Sequence, residues 1–369
     1  MKKILFVVKN MNIGGVEKSL ISLLNTISKD EYQVDILLLE KSGGFLNQIP
    51  SWVNVIIFDE YKNIKNAVNS PPLKVIKSKF NEANKTQAIE LLISYALSKL
   101  FRNSKYYYRQ VFKHIKKLDT KYDVAVAYSS IINYLTWIVC YHVKATKKIG
   151  WIHFDISKLN YDKNLFLNLH NQMDKIYVVS EEALTIFCKN FPQLKSKCEV
   201  KYNVIDKKNI LDLSKVEVEN LRQSNEIIIM TLGRIEKEKG QDIIPEVAQS
   251  LKEKGIIFKW YLIGDGTQKK VIEEDVKKRG LSENVIFLGT KSNPYPYLRQ
   301  ADIYVQTSVH EGFCITLAEA KIFSNAIIST DFTGATEQLK AHDNSYVVQR
   351  NKEAFTNAII DFLKHNLLN

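Results

Sequence analysis

Apolar residues along this chain fall into short runs, and between the runs they recur every three to four positions. Lys3 to Val8 reads as a buried strand, the turn Asn12-Ile13-Gly14-Gly15 follows it, and Val16 to about Ile27 has the period of a helix with one apolar face. Further strands are expected at Gln33 to Leu39, Val53 to Phe58, Asp123 to Ala127, Lys148 to Trp151 and Lys175 to Val179, with a helix near Ile131 to Tyr141. A second series opens at Glu226 to Thr231. It continues through strands at Phe258 to Ile263, Val285 to Leu288, Ile303 to Gln306 and Ala326 to Thr330, with helices over Asp242 to Lys254, Gln268 to Arg279 and Glu353 to Leu368. Strands alternating with helices build parallel sheets, so the expected class is α/β, in two successive halves, 1–205 and 206–369. Two stretches break the alternation. Ile210 to Asn225 is polar, mixed in charge and weakly periodic, as a linker would be, and Tyr61 to Lys121 is a Lys-rich insertion, broken by Pro71-Pro72 and then helical from Thr86 to Lys117.

At 369 residues, 45% of them hydrophobic and 25% charged, the chain has room for two domains of ordinary size. Its longest nearly uninterrupted apolar run, Tyr134 to Val143, is too short to span a bilayer. The opening MKKILFVV turns polar at Lys9-Asn10 before a signal-peptide core is complete, so a cytosolic location is expected. Cys140, Cys188, Cys198 and Cys314 have no metal-ligand spacing and read as reduced structural thiols.

Charge changes this picture once it is located. The net charge is +12, and between Tyr61 and Lys121 fourteen cations stand against three anions, a local net of +11. Such a patch fits nucleic acid, an acidic lipid surface or plain solubility. The C-terminal half is close to neutral, which argues against a nucleic-acid binder. Tyr106, Tyr107, Tyr108 and Phe112 lie among the cations and suit a membrane interface, with a solvated helical insertion as the equal alternative.

The densest candidate chemistry lies between Thr307 and Ala320, TSVHEGFCITLAEA. Glu311 and Glu319 flank a strand-to-helix turn, Gly312-Phe313-Cys314-Ile315, whose small first residue would let backbone N–H groups converge on one cavity. Carboxylates accept from sugar hydroxyls and converging N–H groups hold phosphate, so a nucleotide sugar would use both. Thr316 and Glu319 also have capping-box spacing, which needs no ligand. Gly233-Arg234, with Lys239-Gly240 a few residues on, follows a strand and precedes a helix. Two cations there would stabilise a departing diphosphate without a metal, and no D-x-D occurs in the chain. Gly264-Asp265-Gly266, Gly289-Thr290-Lys291 and His153 all follow strand ends, where open α/β sheets bind ligands, and Gly14-Gly15 form the first such loop without the G-x-G-x-x-G dinucleotide fingerprint.

The motif EGF-x-x-x-x-AEA, with Glu311 and Glu319 eight residues apart, resembles the signature of the retaining GT-B glycosyltransferases of glycosyltransferase family 4. The upstream motifs GGVEK and G-R-x-x-x-x-K-G resemble that family in the same order. The resemblance implies two Rossmann-like domains facing across a cleft, the first on the acceptor side and the second binding the nucleotide sugar. It implies that Glu311 and His153 contact the donor sugar, Glu319 the ribose, Arg234 and Lys239 the diphosphate, and the Gly14-Gly15 loop the phosphates. Gly233, Thr290, Gly312, Phe313, Cys314, Ile315 and Thr316 complete the expected donor site, with no metal and no other cofactor. The expected partners are a nucleotide sugar, a lipid-linked or glycan acceptor and an anionic membrane on its inner face. Asn203-Val204 stands where the family usually has Asn-Gly. The rival readings are a GT-B sugar-nucleotide epimerase and a non-catalytic membrane scaffold that binds nucleotide sugar.

Overall fold

The computed structural model describes residues 1–82, 84–159, 161–323 and 326–367. The chain forms two compact units, one made of Met1–Val179 and Leu184–Tyr202, the other of Ser180–Ala183 and Asn203–Asn369. The first holds β1 (Lys2–Val8), α1 (Gly15–Thr26), β2 (Tyr32–Leu38), β3 (Asn54–Ile57), α2 (Tyr61–Asn69), α3 (Pro72–Asn81), α4 (Lys85–Leu100), α5 (Lys105–Val111), β4 (Lys121–Ala127), α6 (Asn133–Tyr141), β5 (Lys144–Ile152), α7 (Lys163–His170), β6 (Lys175–Val178), most of α8 (Glu181–Asn190) and β7 (Cys198–Val200). Its seven strands are parallel, in the order β3-β2-β1-β4-β5-β6-β7.

The second unit holds α9 (Lys207–Leu213), β8 (Ile227–Leu232), α10 (Ile244–Glu253), β9 (Phe258–Ile263), α11 (Lys269–Lys278), β10 (Val285–Gly289), α12 (Tyr295–Leu298), β11 (Ile303–Gln306), α13 (Ile315–Ala320), β12 (Ala326–Thr330), α14 (Ala335–Leu339), β13 (Ser345–Val348) and α15 (Lys352–Leu367). Its six parallel strands run β10-β9-β8-β11-β12-β13. Period-2 alternation feeds both faces of this sheet. Ile229, Trp260, Leu262, Ile303 and Ile328 point into a core with α10, α11 and α15, while Ile228, Met230, Tyr261, Tyr304 and Ile327 face the core under α9, α12, α13 and α14. In both sheets the strand order reverses beside the unit's first strand, between β1 and β4 and between β8 and β11. Ligands of open α/β sheets bind at such a reversal, beyond the carboxyl ends of the strands.

Several expectations need correction. Residues 210–225 are not a free linker: Ile210 and Leu221 are buried in the second unit's core, Leu221 N donates to Gln300 Oε1 at 2.8 Å, and Arg222 pairs with Asp302 at 2.7 Å. These partners lie some 80 positions away, so local periodicity carries no sign of them. The helix expected over Thr86 to Lys117 is two helices, α4 and α5. The chain turns at Arg102, in left-handed conformation at φ 48°, and the Ser104 N–H goes to Asp162 Oδ2 at 2.8 Å instead of continuing the helix. The aromatics read as membrane-facing are largely core. Tyr107 and Phe112 are buried, Tyr107 packs with Val75, Ile76 and Leu91, and Tyr108 and Phe112 lie against Trp137. Among the described residues no helix is long and apolar enough to cross a membrane.

Candidate functional site

The loops after β8 and β11 emerge side by side at the strand-order reversal of the second unit. Lys239, in a short 3₁₀ turn after β8, reaches Glu311, after β11, with Nζ 2.5 Å from Oε1; the two side chains are 18% and 11% exposed. Burial pulls the Lys239 pKa down, but the Glu311 carboxylate, by charge and hydrogen bond, more than reverses this and the net shift is upward. The lysine is therefore a held cation. Its backbone is held too: Thr307 Oγ1 donates to the Lys239 carbonyl at 2.8 Å, and Arg350 Nη2 donates to the Gly240 carbonyl at 3.1 Å and to Asp242 at 2.6 Å.

Beneath Glu311 runs a buried relay that the sequence reading missed. Tyr304 Oη donates to Gln306 Oε1 at 2.6 Å, Gln306 Nε2 to Ser308 Oγ at 2.7 Å, and Ser308 Oγ to Glu311 Oε1 at 2.7 Å. Gln306 and Ser308 are 2% and 1% exposed, so each polar atom there must be met by protein, and the relay fixes the carboxylate's position. A polar residue closing the apolar strand Ile303–Gln306 is the one signal that could have found it.

The turn itself differs from its expected form. Thr316 and Glu319 make no capping box. Cys314 is the N-cap of α13, with no side-chain cap hydrogen bond, and Thr316 Oγ1 turns to Gln306 Oε1 at 3.3 Å. Glu319, 4% exposed, instead accepts from Tyr295 Oη at 2.8 Å. Burial and the Glu319 charge push the Tyr295 pKa far up, which keeps it a hydrogen-bond donor. Cys314 within the turn is left-handed, at φ 52°. A non-glycine in this region is uncommon and costly, and such residues cluster at ligand sites. Burial raises the Cys314 thiol to about 12, so it is inert as a nucleophile. Gly312, Phe313, Cys314 and Ile315 are all buried.

Arg234 stands apart from this pair. It is exposed and forms a 3.3 Å ion pair with Glu238, a contact that costs little to release. Its backbone is fixed by a close approach. Gly264, at the end of β9, lies so near Gly233 that a Cβ there would sit 1.9 Å from the Gly233 carbonyl oxygen. Ile235 N donates to Asp265 O at 2.9 Å and Gln268 N to Ile235 O at 3.0 Å. The Gly264-Asp265-Gly266 turn thus braces the loop that carries Arg234. Thr290 is exposed at the end of β10.

In the first unit, Gly14 and Gly15 open α1 after β1, and His153 follows β5, both at carboxyl ends of strands. His153 is buried at 5% exposure. Its ring lies 4.6 Å from that of Tyr128 and stacks on Trp151 at 5.7 Å, and Tyr128 Oη in turn bonds Ser19 Oγ at 2.7 Å.

Residues 214–369 match the family model described as Glycosyl transferases group 1. The chain is similar to a Campylobacter jejuni N-acetylgalactosamine-N,N'-diacetylbacillosaminyl-diphospho-undecaprenol 4-alpha-N-acetylgalactosaminyltransferase, 29% identical over 182 residues that cover 49% of this chain and 48% of that one. It is also 25% identical over 171 residues to a Staphylococcus aureus poly(ribitol-phosphate) alpha-N-acetylglucosaminyltransferase, covering 45% of this chain and 35% of that protein. The chain spans about half the length of the first curated relatives it matches. Over the whole chain the structure resembles Anabaena HepE in complex with UDP-glucose, with a TM-score of 0.70 at 18% identity, covering 100% of this chain and 91% of that one. It resembles Staphylococcus aureus TarM with a TM-score of 0.69 at 15% identity, covering 100% and 94%. The fold is GT-B, two parallel-sheet α/β domains.

Proposed function

We propose that this chain is a retaining, metal-independent glycosyltransferase. In this reading it moves a sugar from a nucleotide diphosphate sugar to a lipid-linked or polysaccharide-precursor acceptor at the inner face of the cell membrane. The observation that carries the proposal is the held Lys239–Glu311 pair at the strand-order reversal, with Arg234 on the same loop as Lys239. As the bond from the sugar's anomeric carbon to the diphosphate oxygen breaks, negative charge builds on that oxygen. Lys239 and Arg234 supply preorganised positive charge for it, which is worth most where water is excluded. Glu311, released in part from Lys239 by the incoming phosphate, accepts from donor-sugar hydroxyls, and Glu319, oriented by Tyr295, accepts from the ribose. His153 and the Gly14-Gly15 loop serve the sugar and phosphates from the first unit. Retention follows from attack on the face the diphosphate leaves, assisted by that diphosphate, and needs no protein nucleophile.

The neighbours' UDP and UDP-glucose complexes and the relatives' lipid-linked and polymer acceptors support this choice of substrates. UDP-glucose, UDP-N-acetylglucosamine and UDP-N-acetylgalactosamine are the donors to try first, with acceptor-dependent UDP release as the readout and the anomeric configuration of the product read by NMR. An α-linked product from an α-linked donor, formed in excess EDTA, is expected. A β-linked product would exclude retention, and loss of activity with EDTA that Mn²⁺ restores would exclude the metal-free chemistry.

A further inference from the structure

We propose that α4 is a membrane-inserting element whose outward face lies in the interface of an anionic bilayer. The inference rests on the lipid-linked acceptor proposed above and names the surface that would bring the chain to it. The inward face of α4 is ordinary core: Ala88 and Leu91 are buried, and Leu91 packs with Val75 and Ile76 of α3 and Tyr107 of α5. The opposite face should then be polar, yet it is apolar. Ile89, Leu92, Ile93, Leu97 and Leu100 are 49%, 42%, 56%, 37% and 74% exposed, and Ala96 is exposed between them.

Positions 89, 92, 93, 96, 97 and 100 follow the i, i+3, i+4, i+7 spacing of one helix face, so these side chains form a single stripe with no charge inside it. Eleven residue steps at about 1.5 Å each make the stripe roughly 16 Å long. Phe101, 55% exposed, follows directly. A helix apolar on both faces is normally covered on both.

Charge and size select the cover. Exposed Lys85 and Lys99 flank the stripe on its own helix, and exposed Arg102 and Lys105 follow its end, within the segment that holds +11 of the chain's charge. A second copy of the chain would set these cations against their equals. A stripe of this length and about one helix, or 10 Å, wide covers a small fraction of the roughly 800 Å² per side of a stable protein interface. An anionic bilayer satisfies both parts of the surface, taking the stripe among its acyl chains and the lysines among its phosphates. Tyr107 and Phe112, which the sequence offered as the inserting groups, are buried and unavailable.

The test is co-sedimentation of the full chain with phosphatidylcholine vesicles, with and without phosphatidylglycerol. The variants are Ile89→Ser/Ile93→Ser/Leu97→Ser and Lys85→Gln/Lys99→Gln/Lys105→Gln. Wild type should bind the anionic vesicles only. The serine variant should bind at least about tenfold less tightly, on the scale of losing several buried apolar groups, and the glutamine variant should lose its preference for phosphatidylglycerol. A single Ile93→Trp variant keeps the stripe apolar and should be quenched by brominated lipid beyond the level of wild type. Equal binding of wild type and serine variant, or no binding by wild type, overturns the proposal. A wild-type dimer that the serine variant dissolves assigns the stripe to a second copy and overturns it too. Donor hydrolysis without vesicles should be unchanged in both triple variants. If wild type hydrolyses no nucleotide sugar yet binds vesicles through the stripe, the glycosyltransferase reading fails and the membrane surface stands.

Discussion

Replacing Gly264 by alanine should damage the donor loop from the far side of a strand, without touching a charged group. The added Cβ would lie 1.9 Å from the Gly233 carbonyl oxygen, and real Cβ contacts essentially never fall below 3.0 Å, so the two backbones must separate by at least 1.1 Å, the difference. Three hydrogen bonds hold them together: Gly233 N to Ile263 O at 3.0 Å, Ile235 N to Asp265 O at 2.9 Å and Gln268 N to Ile235 O at 3.0 Å. At about 1 kcal/mol net for each, their loss comes to about 3 kcal/mol. A displacement of roughly 1 Å in a loop that positions a catalytic cation also costs about 100-fold in turnover. Gly280→Ala is the control. Its φ is likewise positive, at +65°, but nothing lies within 4 Å of the added carbon. It should lose only the roughly 1–2 kcal/mol of left-handed strain and keep full turnover. Urea unfolding followed by fluorescence of Trp260, buried in the same unit, gives the stability difference, and release of nucleotide diphosphate gives the rate. A folded Gly264→Ala variant with wild-type turnover, or a Gly280→Ala variant that loses as much, would refute the bracing role of the Gly264 turn.

Tyr295→Phe removes the hydroxyl that donates to buried Glu319 and should cost about 2 kcal/mol in urea unfolding while raising the donor KM more than it lowers kcat. His170 is fully buried, donates from Nδ1 to the Phe166 carbonyl at 2.8 Å and accepts at Nε2 from Ser130. Burial lowers its pKa from 6.5 to about 4, so below about pH 6.5 the unfolded chain takes up the proton first. Stability should therefore fall with pH between about 6.5 and 4 by up to about 3 kcal/mol, and His170→Gln should flatten that slope in unfolding curves across the window. Turnover in excess EDTA should match turnover without it.

Much of the sheet was legible because buried parallel strands are continuous apolar runs. Phe258 to Ile263, Ile303 to Gln306 and Ala326 to Thr330 are each built on such a run: Trp260 to Ile263, Ile303 to Val305 and Ala326 to Ile328. The linker reading of 210–225 failed because what folds that stretch, Gln300 and Asp302, comes from a distant part of the chain. The long helix failed because nothing in Leu100-Phe101-Arg102-Asn103 outweighs helical spacing except a contact to Asp162. At the candidate site, spacing and charge pointed to Lys239 and Glu311, which the fold joins directly. It could not reveal that Tyr295 serves Glu319 across 24 positions, that Gln306 and Ser308 relay to Glu311, or that the left-handed residue is Cys314. The apolar stripe of α4 was hidden for a different reason. Its residues look like core in any sequence, and only the packing of α3 and α5 decides which face is left outside.

The central claim is that Lys239 meets the departing diphosphate, and turnover of the best UDP-sugar by wild type and Lys239→Met tests it most directly, with donor affinity followed by thermal stabilisation. Methionine keeps the buried stem and removes the charge. The variant should remain folded and lose about 100-fold or more in kcat, the scale of one preorganised electrostatic donor. Its stabilisation by free nucleotide diphosphate should fall as well, because the leaving group in its final charge state loses the same contact. A folded Lys239→Met enzyme with wild-type kcat would contradict the account.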